Sequence, residues 1–218
     1  MTPVPIPIPI PTAGRWPADV GLWRVELDLG IDPAGACGYL AASEIERMGR
    51  YVQQADRVRF AVARSVLRGI LGARLDCDPA QLAFEVGPFG RPSLVAHPGV
   101  SFNVSHSGER VLVAVSALRT VGVDIEAIDP ALDWRALLDL VCAPEEARWI
   151  GSTGEFYRCW TVKEALLKAT GKGIGAGLKS IDVTSDVIID STSAKLPPKL
   201  RFICLDELGG YSGALAFG

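Results

Sequence analysis

The chain has 218 residues, 49% of them hydrophobic and 22% charged, with a formal net charge of −3 and a pI near 5.5. That length covers one large domain or two of roughly 100 residues each, and the mild acidity argues against a dedicated nucleic-acid binder, whose affinity rests on many Lys and Arg contacts to phosphate. No uninterrupted apolar run reaches the roughly 18 residues of a membrane span; the N-terminus lacks the basic and apolar regions of a signal peptide, so a cytoplasmic protein is expected.

Residues 1–20 are a proline-rich segment in which Pro alternates with Val or Ile from Pro3 to Pro11. Proline fixes φ and removes a donor, so this stretch is expected to be extended and polyproline-like. Alternation over Leu22–Leu27 predicts a first strand. Ser43 and Glu46 have capping-box spacing, which predicts a helix start near Ser43. Phe60, Ala63, Leu67, Ile70 and Leu71 recur at helical spacing within a longer helix over Asp56–Arg74. A short strand over Leu82–Val86 and a turn over Gly87–Pro92 follow. Ser101–His106 and Val111–Ser116, joined by Ser107-Gly108-Glu109-Arg110, read as a hairpin. Val121–Ile125 is an apolar strand.

Further on, helices are expected over Trp134–Val141, Pro144–Ile150 and Glu155–Thr170, the last ended by Gly171 and Gly173. Short strands are expected near Ile181–Val183, Leu200–Leu205 and Tyr211–Phe217. Each half thus reads strand, helices, strands, with halves at 21–118 and 119–218. The five cysteines (Cys37, Cys77, Cys142, Cys159, Cys204) are dispersed without a C-x-x-C pair and read as reduced thiols that fill the core.

Four clusters carry chemistry. In Val121-Gly122-Val123-Asp124-Ile125-Glu126, Asp124 and Glu126 lie two apart and share one strand face. Such a pair suits Mg²⁺, and equally two unrelated acids on a solvated strand end. In Trp160-Thr161-Val162-Lys163-Glu164-Ala165-Leu166-Leu167-Lys168, the residues Trp160, Glu164 and Lys168 stack on one helix face. Glu164 is a candidate third carboxylate and Lys168 a candidate phosphate contact; an ordinary surface Glu–Lys pair is the alternative. Lys163, about 100° around the helix, faces elsewhere.

The third cluster is Phe102-Asn103-Val104-Ser105-His106-Ser107-Gly108. Ser105 and His106 invite a hydrolase reading, but strand neighbours point to opposite faces and no G-x-S-x-G turn is present. His97, the other histidine, sits in a loop beside Pro98. The fourth is Gly90-Arg91-Pro92 with Arg47, Arg50, Arg57, Arg59, Arg64 and Arg68. Most of these read as solvated helix faces, with one or two available to a polyphosphate.

In this order and separation, G-R-P, F-N-V-S-H-S-G, G-V-D-I-E and W-T-V-K-E-A-L-L-K resemble the surfactin-activating (Sfp) type of 4′-phosphopantetheinyl transferase. The match runs from about Arg47 to Gly173. It implies an α+β, pseudo-dimeric fold of two similar halves with coenzyme A in the cleft between them. It implies transfer of the phosphopantetheine arm of coenzyme A to a serine of an apo acyl or peptidyl carrier protein by a monomer. Asp124, Glu126 and Glu164 would ligate Mg²⁺, with Mn²⁺ as an alternative. Lys168 would meet the transferring phosphate, with Asp124, Glu164 and Lys168 forming the catalytic set. Ser105 and His106 would contact coenzyme A phosphates, Arg91 the adenine end, and Arg47 and Arg59 the nucleotide. Ile125 stands where some relatives carry a polar residue.

Carrier docking is expected over 134–150, through Leu137, Leu138, Leu140 and Trp149, which are equally good core residues. Three other readings stand beside this one. They are a transferase serving the fatty-acid carrier alone, a non-catalytic nucleotide-binding protein, and a Ser/His hydrolase.

Overall fold

The computed structural model describes residues 4–171, 177–183 and 200–218. Three sheets and five α-helices follow in chain order. They are β1 (Ile8–Pro9), β2 (Gly21–Glu26), α1 (Ala42–Gly49), α2 (Gln54–Leu75), β3 (Phe84–Val86), β4 (Pro92–Leu94), β5 (Ser101–Ser107) and β6 (Arg110–Ser116). The remainder are β7 (Val121–Ala127), α3 (Trp134–Val141), α4 (Pro144–Ala147), α5 (Thr153–Thr170), β8 (Arg201–Cys204) and β9 (Tyr211–Phe217). One sheet has the order β1-β2-β6-β5, a second is the β3-β4 pair, and a third has the order β7-β9-β8; all their pairings are antiparallel.

Strand β6 explains how two helix-on-sheet units share one body. Its sequence RVLVAVS is apolar at successive positions, the pattern of a strand buried on both faces. Val111, Val113 and Val115 pack with Val58, Val62, Val66 and Leu71 of α2. Leu112 and Ala114, on the other face, join Val121, Val123 and Ile125 of β7 and Leu215 and Phe217 of β9. Beneath the third sheet, Val162, Ala165, Leu166 and Ala169 of α5 meet Ala214 and Ala216. Each fully buried Val or Leu contributes roughly 1.5–3 kcal/mol. This mixed α+β architecture is the expected class.

Gly122 permits the closest of these contacts. A Cβ there would run into the Ala165 carbonyl oxygen and the Ala169 amide of α5, so only glycine lets helix and strand approach this far. α5 begins at Ser152, whose side chain accepts from the Glu155 amide, and ends at Gly171 with φ +68°. That left-handed cap suits glycine.

Several elements differ from the sequence-based expectation. α1 starts at Ala42, and Glu44, not Glu46, reaches back to the Ala41 amide; Glu46 pairs with Arg50 on the surface instead. α4 stops at Ala147, short of the expected Ile150. Ile181–Val183 forms no strand; Ile181 is buried against α5, and the Val183 amide donates to Glu146. Gly173 lies outside the described residues. The proline-rich segment is extended, and Ile8–Pro9 pairs with the edge of β2. The helix arginines are not all solvated: Arg68, 2% exposed, donates to Glu44 and to the Pro79 and Leu82 carbonyls.

Lys163 faces away from Glu164, but into the core rather than into water. It is fully buried. Its three donors are met by the Val141 and Leu178 carbonyls and the Glu146 carboxylate, which accounts for every proton of the ammonium. Glu146 also accepts from the amides of Ala143 and Val183. This pair ties α3, α4, α5 and the segment after Leu178 together. Beside it, the Cys142 and Cys159 thiols lie 3.8 Å apart and complete, with Glu146, a cluster whose ligating atoms fall within 4.8 Å of one another. The Glu146 carboxylate already accepts from three protein donors, one of them the ammonium, so the cluster is a structural hub. Removing one member of a buried pair strands the other charge and costs about 3–5 kcal/mol. Lys163→Ala is therefore expected to lower the melting temperature by on the order of 10 °C, read by thermal denaturation.

Candidate functional site

The two sheets meet along a seam where β5 lies beside β7 without a backbone ladder. Polar side chains at every second position of β5 take the place of one. Ser101 Oγ accepts from the Val121 amide at 3.0 Å, Asn103 Oδ1 from the Val123 amide at 2.9 Å, and Ser107 Oγ from the Ala127 amide at 3.0 Å. Ser105 Oγ donates to Asp124 Oδ1 at 2.8 Å. These are residues i, i+2, i+4 and i+6, which a strand places on one face.

Asp124 is the centre of the seam. It is 2% exposed. Its Oδ1 accepts from Ser105 and from Lys168 Nζ at 2.6 Å; its Oδ2 is buried and has no hydrogen-bond partner among the described residues. Lys168 Nζ also donates to Ser105 Oγ at 2.8 Å. The alternative reading, a surface Glu164–Lys168 pair, is not what forms, because Lys168 turns to the buried Asp124.

Glu126 and Glu164 are half-buried. Burial raises the pKa of each, and the charge of Asp124 raises it further; Glu164 also feels Glu126. Lys168 opposes the rise at both, and at Glu126 so does the hydroxyl of Ser107, which donates to Oε2 at 2.8 Å. Three carboxylates are therefore collected around one ammonium, short of cations.

One hollow adjoins this group, and a second shares Pro92 and Asn103 with it. The first, about 220 Å³, is lined by Phe89, Arg91, Glu164, Lys168 and Gly171 among others. The other, about 180 Å³, is lined by Phe60, Arg64, Leu67, Phe102 and His106 among others. His106 is exposed at this hollow, on the strand face opposite to Ser105. Desolvation by the surrounding protein, then the charges of Arg59 and Lys168, hold its pKa below the usual imidazole value. Ser105 is committed to Asp124 and Lys168, so no Ser–His nucleophile pair forms.

The arginines sort differently from their sequence reading. Arg91 is spent on the protein: it donates to Lys168 and Ala169 carbonyls of α5, to Ser101 and the Phe102 carbonyl of β5, and to the Val121 carbonyl of β7. It staples helix and seam together while bordering the larger hollow. Arg59 donates to the Gly108 carbonyl and to Asp56, which anchors the β5–β6 turn. Arg47 is exposed and lies 5.3 Å over the Phe60 ring. Arg64, read as a solvated face, instead pairs with Glu44 at 3.2 Å and leaves a buried Nη1 without a partner among the described residues.

Sequence reading did not single out Arg64 from the other arginines offered to a polyphosphate, and it gave no role to Asn103 and Ser107. The period-two run Ser101, Asn103, Ser105, Ser107 was the available signal for the last two. For Arg64 none existed, because its direction depends on packing.

The raised carboxylates give a signed prediction for the metal-free protein. A folded pKa above the unfolded 4.5 means stability is fully present below that pH and lost as pH rises through the folded value. Glu164→Gln removes the charge that causes the loss. In chelator, the variant should melt above the parent at neutral pH, with the gain fading toward pH ~4, read by melting curves across that range.

Comparison with known proteins follows the same pattern. A model described as the 4′-phosphopantetheinyl transferase superfamily matches residues 120–213, and one for the N-terminal part of 4′-phosphopantetheinyl transferase matches 33–118. A putative 4′-phosphopantetheinyl transferase, slr0495, of Synechocystis is 39% identical over 168 residues, 73% of this chain and 68% of that one. The 4′-phosphopantetheinyl transferase HetI of Nostoc is 37% identical over 178 residues, covering 76% and 73%. The 4′-phosphopantetheinyl transferase Sfp of Bacillus subtilis is 25% identical over 153 residues, covering 66% of each.

Proposed function

The chain belongs to the 4′-phosphopantetheinyl transferase superfamily, and from that premise we propose how its residues divide the work. The reaction moves the 4′-phosphopantetheine arm of coenzyme A onto a serine hydroxyl of an apo carrier protein and releases 3′,5′-ADP. Residues 21–118 and 119–218 act as two halves of one monomer, with the site on their seam.

Asp124, Glu126 and Glu164 hold a divalent cation, Mg²⁺ or Mn²⁺. The observation that carries this reading is the buried Oδ2 of Asp124, without a partner among the described residues, beside two carboxylates whose pKa values are raised. Such a donor set, all hard oxygens, fits these ions. When bound, the ion neutralises charge on the diphosphate and orients it.

Lys168 spends two of its three donors on Asp124 and Ser105. The third remains for an oxygen of the transferring phosphate, held in fixed direction by the first two. Glu164 accepts the proton of the carrier serine at a carboxylate oxygen. Ser105 takes part by fixing Asp124 and Lys168 rather than by attack. At the smaller hollow, Arg64 Nη1 and His106, with Arg47 at the rim and Arg59 behind the turn, favour a coenzyme A phosphate. Arg91 shapes the adenine end by holding β5, β7 and α5 together.

The partner is an acyl or peptidyl carrier protein. Leu140 and Trp149 are exposed at 69% and 41% and supply apolar docking surface, while Leu137 and Leu138 pack inward beside Trp134. No described helix is long and apolar enough to cross a membrane, and the reaction is assigned to the cytoplasm.

Asp124→Ala and Glu164→Ala should each lower transfer by at least about 10²–10³-fold, as should chelation, with Mg²⁺ restoring only the chelated parent. Intact mass of an apo carrier, gaining one phosphopantetheine, reads the outcome; wild-type rates for Asp124→Ala would end this reading. Arg64→Gln should raise KM for coenzyme A about tenfold, the value of one charge-assisted hydrogen bond, with kcat little changed.

A further inference from the structure

The two β7 carboxylates are held in the same way by β5. A serine hydroxyl takes one oxygen of each, Ser105 on Asp124 Oδ1 and Ser107 on Glu126 Oε2. The two serines differ in what else they do. Ser105 shares its oxygen with Lys168, which already supplies Asp124 with a strong donor. Glu126 accepts no other hydrogen bond among the described residues, so Ser107 is its one fixed contact.

Ser107 is fully committed. Its oxygen accepts from the Ala127 amide, the residue after Glu126, at 3.0 Å. Its single proton goes to Glu126 Oε2 at 2.8 Å. One hydroxyl therefore fixes both the main chain and the carboxylate of the same residue. A hydroxyl carries only one proton, so this direction of donation leaves no rotor to be chosen. The consequence is that Oε2 is held in place by the hydroxyl, while Oε1 meets no donor among the described residues. A glutamate has three side-chain torsions, and without this contact a half-buried one would sample several arrangements.

We propose that Ser107 is a positioning residue which orients Glu126 as a ligand of the divalent cation. The proposal rests on Glu126 belonging to the cation site, as set out above. Ser107 acts through Glu126, the group on which its one proton is spent. Groups that orient a ligating carboxylate typically change metal affinity about 10–100-fold when removed.

The test is Mn²⁺ binding to the intact protein without coenzyme A, followed by electron paramagnetic resonance of the free ion. Ser107→Ala should weaken binding about 10–100-fold. Ser107→Thr, which keeps the hydroxyl, should restore it to near the parent value. In a Glu126→Gln background, Ser107→Ala should cost no further affinity, because both changes act on one contact. Ser101→Ala removes a rung of the same seam away from Glu126, so it should lower the melting temperature while leaving Mn²⁺ affinity near the parent value. Parent-like affinity in Ser107→Ala would overturn the proposal. Equal weakening by Ser101→Ala and Ser107→Ala would also overturn it, in favour of a general seam effect. If the parent and Asp124→Ala proteins alike fail to bind Mn²⁺, the cation reading itself fails, and the proposal with it.

Discussion

A carboxylate taken out of water must be neutralised or it will not stay ionised, and Asp124 is nearly inaccessible. Lys168 reaches across from α5 to supply the charge, and Ser105 from β5 supplies a neutral donor. This one junction joins helix, seam strand and cation-site strand. A buried ion pair by itself is weak evidence for stability, since desolvation offsets much of its attraction. Here its value is registration: three elements far apart in sequence meet at atoms of one side chain. The arrangement also leaves Oδ2 unmatched, which is unfavourable in an empty site and favourable in one that takes a cation.

The rest of the site is built around that imbalance. Burial raises the pKa values of Glu126 and Glu164, and the nearby charge of Asp124 raises both further, a cost the core elsewhere must cover. The Lys163–Glu146 pair shows the contrasting arrangement, with every donor of the ammonium matched by protein. Adjacent residues of α5 thus serve opposite ends. Lys163 holds the helix to α3 and α4 from behind, and Glu164 is free in front.

The seam explains why the two sheets do not slide. Backbone pairing would have fixed β5 against β7 without regard to side chains. Ser101, Asn103 and Ser107 do so by accepting β7 amides, and Arg91 crosses the same joint with bonds to β5, β7 and α5. Side-chain rungs cost conformational entropy, but they let the joint between halves also orient the groups that act there.

The sequence alone determined most of the strands and helices, though not the coil at Ile181–Val183 or the early end of α4, and it determined the family, because these rest on sequence patterns. The run of valines in β6, the helical spacing of Phe60 to Leu71, and the D-x-E pair on one strand face are all set by periodicities of two and 3.6 residues. It also set Glu164 and Lys168 one turn apart on α5. What only the tertiary structure decided is the pairing between distant elements. Lys168 chose Asp124 over Glu164, Arg91 was drawn into the joint, Arg64 turned inward with one nitrogen unmatched, and Ser107 closed on Glu126. The reason is physical: a polar side chain's partner depends on which buried groups remain unmatched after packing, and that is not known until the chain has folded.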